Sequence, residues 1–160
     1  MNKRTSFLIG VCAFPFIVLV SPFIILLLVF YAIYTATLYL LIWVFWLPKG
    51  KDILFVYSDS PVWREHVEAE ILPHIEARAI ILNWSERKAW SAGHSLPTLV
   101  FKHFGGYREF NPMGLYFRPF HFVKAYRFLN AFRDRKHGKP QALERIKGEF
   151  FSDISGKQNH

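Results

Sequence analysis

The chain has 160 residues, a formal net charge of +8 and a single cysteine, Cys12. One cysteine excludes a disulfide within the chain and a zinc site built from several cysteines. The charge is uneven, with +4 in residues 1–51, −3 in residues 52–97 and +7 in residues 98–160. We expect the basic C-terminal part to face an anionic lipid surface rather than a nucleic acid.

The first 48 residues are dominated by one apolar segment. No charged side chain occurs from residue 5 to residue 48, and the apolar run Phe7–Leu47 is about twice as long as the ~20 residues that one membrane-spanning helix needs. Ser21-Pro22 interrupts this run, and proline removes a backbone donor. Residues 1–48 therefore predict a membrane anchor, a transmembrane or re-entrant helical hairpin with its break near residues 21–22. A single signal-anchor span is the alternative.

Both flanks of the apolar run are basic. The positive-inside rule places basic flanks in the cytoplasm, and two cytoplasmic ends require a hairpin. Two tryptophans precede the second basic flank, at the position where aromatic side chains lie among lipid headgroups. The predicted membrane-interface residues are Trp43, Trp46, Lys49 and Lys51.

Residues 49–151 are long enough for one small folded domain. Apolar runs rich in β-forming residues predict strands at 53–57, 79–82 and 114–117. Helical spacing or capping residues predict helices after the first two strands and at 95–104, 122–132 and 141–151, followed by a polar tail at 152–160. This order predicts a three-layer α/β domain (βαβαβα) with a mostly parallel sheet.

Polar side chains follow each predicted strand. In a parallel sheet the carboxyl ends of the strands share one edge, and ligands bind there. Two carboxylates on these loops are candidates for acid–base catalysis, and the other polar side chains are candidates for ligand binding. Helix capping and ordinary surface exposure are the alternative explanations. The catalytic candidates are Asp59 and Glu86, and the ligand-binding candidates are Ser58, Ser60, Asn83, Ser85, Arg87 and Arg118.

Common cofactor motifs are missing from the sequence. It contains no G-x-G-x-x-G, no G-x-x-x-x-G-K-[ST], no G-x-S-x-G and no H-E-x-x-H. We therefore predict no cofactor and no metal site.

Three functions fit these features. The first is a membrane-anchored module, facing the cytoplasm, that binds an anionic ligand, an anionic lipid surface or a partner protein. The second is a small membrane-bound enzyme that acts on a nucleotide or a phosphorylated lipid through the polar strand ends. The third is a membrane-shaping protein in which the anchor is the active part. The lipid bilayer is the expected partner in all three, and nucleic acid in none.

Overall fold

The computed structural model describes residues 3–91, 95–106 and 111–156. It divides the chain into two compact units, Met1–Leu40 and Leu41–His160. The first unit consists of most of α1 (Lys3–Phe45), a single long helix. The second unit holds a four-stranded sheet with helices, so the predicted α/β class is confirmed.

Helix α1 continues through Ser21-Pro22, and the predicted hairpin break is not found there. Pro22 lacks the N–H group that would donate to the carbonyl of Val18, four residues earlier. The hydroxyl of Ser21 donates to that same carbonyl, at 3.0 Å. This hydroxyl gives the Val18 carbonyl the donor that Pro22 lacks, whereas a turn in hydrocarbon would leave several backbone groups without partners.

The described part of α1 is long and apolar enough to cross a membrane. The segment Val18–Lys49 has a mean hydropathy of 2.4. Residues 18–40 alone rise about 34 Å, slightly more than the thickness of a hydrocarbon core. Their large apolar side chains are mostly exposed. The hydroxyls of Thr35 and Thr37 donate to carbonyls one turn back, at 2.8 and 2.9 Å, so neither needs water.

The sheet consists of β1 (Ile53–Tyr57), β2 (Ala79–Asn83), β3 (Met113–Tyr116) and β4 (Lys124–Arg127), in the order β2-β1-β3-β4. Strands β1 and β2 are parallel, whereas β3 is antiparallel to both β1 and β4. The prediction of a mostly parallel sheet is therefore wrong, because the sheet is mixed. Strand β4 also replaces the first part of the helix predicted at 122–132. A seven-residue connection joins neighbouring strands only in the antiparallel direction, and residues 117–123 form such a connection.

The remaining elements are helical. A helix of three segments follows β1, namely α2 (Arg64–His66), a π-helical turn (Val67–Ile71) and α3 (Leu72–Ile75). A 3₁₀ turn (Trp84–Glu86) and α4 (Arg87–Ser91) follow β2, and α5 (Leu96–Phe104) precedes β3. Helices α6 (Leu129–Lys136) and α7 (Gln141–Ile154) end the described chain. The predicted tail thus begins inside α7, and residues 157–160 lie outside the described residues.

Both faces of the sheet are covered. Ile53 and Phe55 of β1 point to one face and belong to a core cluster with residues of α3, α6 and α7. Leu54 and Val56 alternate to the other face and are also fully buried. On that side Phe117, directly after β3, contacts Phe104 of α5 and the indole of Trp46.

Candidate functional site

The carboxyl ends of β1 and β2 meet at one edge of the sheet. The two strands are parallel, and their last residues, Tyr57 and Asn83, are paired. The loops that follow them are therefore neighbours, as predicted from the sequence. Together with Asn111 and the start of α6 they enclose a cleft of about 460 Å³. Its polar lining is Ser58, Asp59, Ser60, Ser85, Arg87 and Asn111, and its aromatic lining is Trp63 and Trp84.

Hydrogen bonds join the two loops directly. The backbone N–H of Asp59 donates to the hydroxyl of Ser85 at 2.9 Å. The amide of Asn83 donates to both carboxylate oxygens of Asp59, at 3.1 and 3.2 Å. The carbonyl oxygen of the same amide accepts from the backbone N–H of Ser85 at 3.0 Å. One asparagine thus caps its own helical turn and also orients the carboxylate of the neighbouring loop.

The β1 loop is held from below by two further side chains. The hydroxyl of Ser58 donates to Asn111 at 2.9 Å, and the indole N–H of Trp63 lies 3.2 Å from both the carbonyl and the hydroxyl of Ser58. Neither Ser58 nor Asp59 caps α2, whose first residues receive no side-chain cap. Helix capping therefore does not explain these two residues.

Asn111 was not identified from the sequence. It is only 6% exposed, and its side chain reaches Ser58 from a position 53 residues away. The dipeptide Asn111-Pro112 marks a turn, which is the only local signal, and a turn signal does not indicate a site.

The cleft carries charges of both signs. The guanidinium of Arg87 lies over the ring of Trp84, 5.5 Å from its centre. Arg64 lies 3.7 Å from the carboxylate of Asp59 and donates to Glu68 at 3.0 Å, and this hydrogen bond raises the pKa of Arg64. Burial, followed by the charge of Glu68, raises the pKa of the Tyr57 phenol at the end of β1. The cleft can therefore present the guanidinium of Arg87, the oriented carboxylate of Asp59 and neutral hydroxyls to a ligand, whereas Arg64 lies outside its lining.

Two predicted site residues lie outside this cleft. Glu86 is exposed in the 3₁₀ turn after β2 and is not part of the lining. Arg118 follows β3, and β3 runs antiparallel to β1, so Tyr116 pairs with Ile53 at the start of β1. A parallel β3 would have placed Arg118 beside the β1 and β2 loops, as predicted. Because β3 is antiparallel to β1, Arg118 lies at the opposite end of the strands.

The predicted membrane-interface residues differ in their surroundings. Trp46 is 5% exposed and packs edge-on against Phe117. The ammonium of Lys51 donates to the backbone carbonyls of Glu76 and Ala79, both at 3.1 Å. Lys49 is exposed, and Trp43 is partly exposed. Trp46 and Lys51 therefore make contacts within the folded unit, whereas Lys49 and Trp43 are exposed or partly exposed at its surface.

A second cleft, of about 640 Å³, lies between α2 and α6. Its lining includes His66, Glu70, Phe132 and Arg135. The Nδ1 atom of His66 lies 2.9 Å from Glu70, and the ring stands edge-on to Phe132. Its Nε2 atom is buried without a hydrogen-bond partner, and burial lowers the pKa of this imidazole. Sequence reasoning had not identified His66 as part of any site.

Within residues 3–91, 95–106 and 111–156, no group of three or more His, Cys, Asp or Glu side chains is arranged to hold a metal ion. No known protein family, curated protein or solved structure matches the chain. The fold and the cleft define a small mixed-sheet α/β domain preceded by one helix long enough to cross a membrane. The polar and aromatic side chains that line the cleft are the basis on which a function is proposed.

Proposed function

We propose that this protein is a membrane-anchored module that binds a small anionic ligand in the cleft between the β1 and β2 loops. One observation carries the proposal. Hydrogen bonds among Asp59, Asn83 and Ser85 join the two loops at the carboxyl ends of the parallel strands β1 and β2. Ligands of open α/β sheets bind at such edges. Arg87 supplies a charge that matches a phosphate or a carboxylate.

Asp59 restricts the kind of ligand. A carboxylate repels an anion, so the anionic group belongs near Arg87, and a hydroxyl or N–H donor of the ligand belongs near Asp59. A phosphorylated molecule with free hydroxyl groups, such as a nucleotide or a sugar phosphate, has both features. The indoles of Trp63 and Trp84 add apolar surface on which such a molecule can rest.

We place the domain on the cytoplasmic side of the membrane. With one span the two ends of the helix lie on opposite sides, so the basic flanks alone no longer decide the orientation. Two other features favour the cytoplasm. The stretch from residue 49 onward has no cysteine, in keeping with a reducing compartment, and residues 98–160 carry a charge of +7 that suits an anionic leaflet. A protease that removes the domain from inside-out vesicles and spares it in intact cells would support this orientation.

Binding is tested with the full-length protein in detergent micelles. Isothermal titration with AMP, ribose 5-phosphate and inorganic phosphate gives the affinity of each probe. A charged hydrogen bond is worth about 1.5–3 kcal/mol, so Arg87→Ala should weaken a bound probe about 10- to 100-fold. Lys88→Ala removes a neighbouring exposed cation outside the lining and should leave the affinity unchanged. Equal losses in both variants, or no binding of any probe, would contradict the proposal.

Catalysis is the alternative to binding. The acid–base pair predicted from the sequence is Asp59 with Glu86, and Glu86 does not line the cleft. We therefore propose binding as the function. If the protein converts one of these probes to a product, and Asp59→Asn abolishes that conversion, the protein is an enzyme and this proposal is wrong.

A further inference from the structure

The connection between β3 and β4 exposes two aromatic side chains. Phe120 is 86% exposed and Phe122 is 90% exposed. They are the most exposed large apolar residues of the described part of the second unit. Two highly exposed aromatic rings on one short loop of a small domain point to a contact surface. We name residues 117–123 the Phe loop.

The conformation of the Phe loop turns these rings outward. Phe120 has a φ of 60°, in the left-handed region that a bulky residue rarely adopts. Hydrogen bonds close the turn around it. The backbone N–H of His121 donates to the carbonyl of Arg118 at 3.3 Å, and Nδ1 of His121 lies 2.8 Å from the carbonyl of Pro119. The exposure of the rings is thus a property of an ordered turn.

The Phe loop lies against the end of α1. The rings of Phe120 and Trp43 have their centres 5.1 Å apart, and those of Phe117 and Trp46 are 5.9 Å apart. All four residues belong to the same compact unit. Trp43 also lies in the last turns of the segment Val18–Lys49, which is apolar enough to span a membrane. Phe120 therefore lies beside the end of the apolar segment that anchors the protein in the proposed function.

Cationic side chains flank the Phe loop. Arg118 and Lys124 stand at its two ends, and Lys49 is exposed just beyond Trp46. Lys124 is paired with Asp153 of α7, so Arg118 and Lys49 contribute most of the positive charge. Aromatic rings among cations are the composition of surfaces that lie on anionic lipid. This charge favours a lipid surface over a neutral apolar patch on another protein.

We propose that Phe120 and Phe122 insert into the bilayer interface beside the end of α1, as a second membrane contact of the domain. The inference rests on the proposed membrane anchoring. It adds a second contact between the domain and the bilayer, beside the one that the helix makes. The cleft lies at the opposite edge of the sheet, so this contact leaves it open to water.

The test uses the full-length protein in vesicles of phosphatidylcholine and phosphatidylglycerol. A Cys12→Ser background removes the native thiol, and Phe122→Cys carries an environment-sensitive fluorophore. Val62→Cys is the matched control, since Val62 is an exposed apolar residue beyond the carboxyl end of β1. Brominated acyl chains should quench the Phe122 label several-fold more than the Val62 label. Iodide in the water should do the reverse.

Each other outcome overturns the inference. Labels that iodide reaches equally place the Phe loop in water. A Phe122 label that neither quencher reaches indicates a protein contact, such as a second copy of the chain. Labelling Phe120→Cys repeats the measurement at the other ring. Extraction with alkaline carbonate separates the two proposals, because loss of the whole protein from the vesicles refutes the anchoring, whereas retention with a water-exposed label refutes only the insertion.

Discussion

The side-chain amide of Asn83 donates to both carboxylate oxygens of Asp59, at 3.1 and 3.2 Å, and so joins the loops that follow β1 and β2. The two residues are 24 positions apart, and only the parallel pairing of the strands brings them together. Both side chains are partly exposed, so the value of the pair for stability is small. Its consequence is geometric, since it holds the carboxylate at the mouth of the cleft.

A double-mutant cycle with Asp59→Ala and Asn83→Ala measures this link. We expect a coupling energy of about 0.5 kcal/mol in the free energy of unfolding, because both side chains are partly solvated. Thermal unfolding of the full-length protein in micelles, followed by circular dichroism, gives the value. Glu86→Ala in place of Asn83→Ala is the control and should show no coupling with Asp59. Equal coupling in both cycles would mean that the contact is not specific.

Arg78 precedes β2 and joins the N-terminal end of β1 to the C-terminal end of α7. Its Nε donates to Asp52 at 3.1 Å, one terminal nitrogen donates to the other oxygen of the same carboxylate, and the second terminal nitrogen donates to the carbonyl of Ile154. A lysine cannot reproduce this fork, so we expect Arg78→Lys to lower the free energy of unfolding by about 1 kcal/mol, a value reduced for partial exposure. Urea unfolding in micelles measures the loss.

Arg145 provides the matched control for Arg78. Its guanidinium is 4.0 Å from Glu149 on the exposed face of α7. Arg145→Lys should change the free energy of unfolding by less than about 0.5 kcal/mol. A larger loss in Arg145→Lys than in Arg78→Lys would show that the three hydrogen bonds of Arg78 are unimportant for stability.

Gly114 in the middle of β3 makes room for the ring of Phe150. A Cβ atom at this position would lie 3.2 Å from the ring of Phe150, which is tighter than most packing contacts, and 3.4 Å from Phe55, which is ordinary contact. The two further methyl groups of a valine have no free space there. Gly114→Val should therefore destabilise the fold by about 1–3 kcal/mol. Gly148 on α7 has open space around it, so Gly148→Ala should stabilise by about 0.5–1 kcal/mol. Shifts of the unfolding midpoint in the same direction would contradict this explanation.

His66 should make stability depend on pH. Burial lowers the pKa of its imidazole, with Arg135 and Lys147 acting in the same direction and Glu70 and Glu144 opposing them. In the unfolded chain the ring binds a proton from about pH 6.5 downward, whereas the folded protein binds it only at lower pH. The free energy of unfolding should therefore be highest above pH 6.5 and fall as the pH decreases through that range.

The variant His66→Gln isolates this dependence. It removes the titrating ring, so the decrease in unfolding free energy between neutral and mildly acidic pH should be smaller than in the parent. Glu70 also titrates, but its hydrogen bond with Lys147 lowers the pKa of its carboxyl and moves its effect to more acidic pH. Identical slopes in both proteins between neutral pH and the acidic range would refute the assignment.

The local sequence was sufficient for several elements. The apolar run of β1 and the run of β2 are short, continuous and bounded by polar residues, and both strands were predicted at the places where they occur. Because polar residues follow both, the meeting of Asp59 and Ser85 could also be predicted from the expected parallel pairing. These features are local, since they depend on residue type over five to ten positions.

The direction of β3 and the identity of β4 were not predictable in this way. Met113–Tyr116 is as apolar as a strand of a parallel sheet, and apolar runs carry no information about direction. In β4, Tyr126 is buried while its neighbours are exposed. The spacing of Phe122, Tyr126 and Leu129 fits a helix equally well. The antiparallel pairing with β3 makes this segment a strand rather than a helix.

The sequence by itself determined the uncharged, apolar character of the N-terminal segment, the α/β class and the two polar loops at the ends of the parallel strands, because charge, hydropathy and local spacing act over short distances along the chain. The hairpin predicted for the apolar segment is instead one helix without a break at residues 21–22. Only the tertiary structure decided that Asn111 supports Ser58, that Arg118 lies at the opposite edge, and that Phe120 lies against Trp43. These three relationships join residues 53 or more positions apart or depend on strand direction. Long-range packing and backbone pairing fix them, and neither is encoded in any single segment.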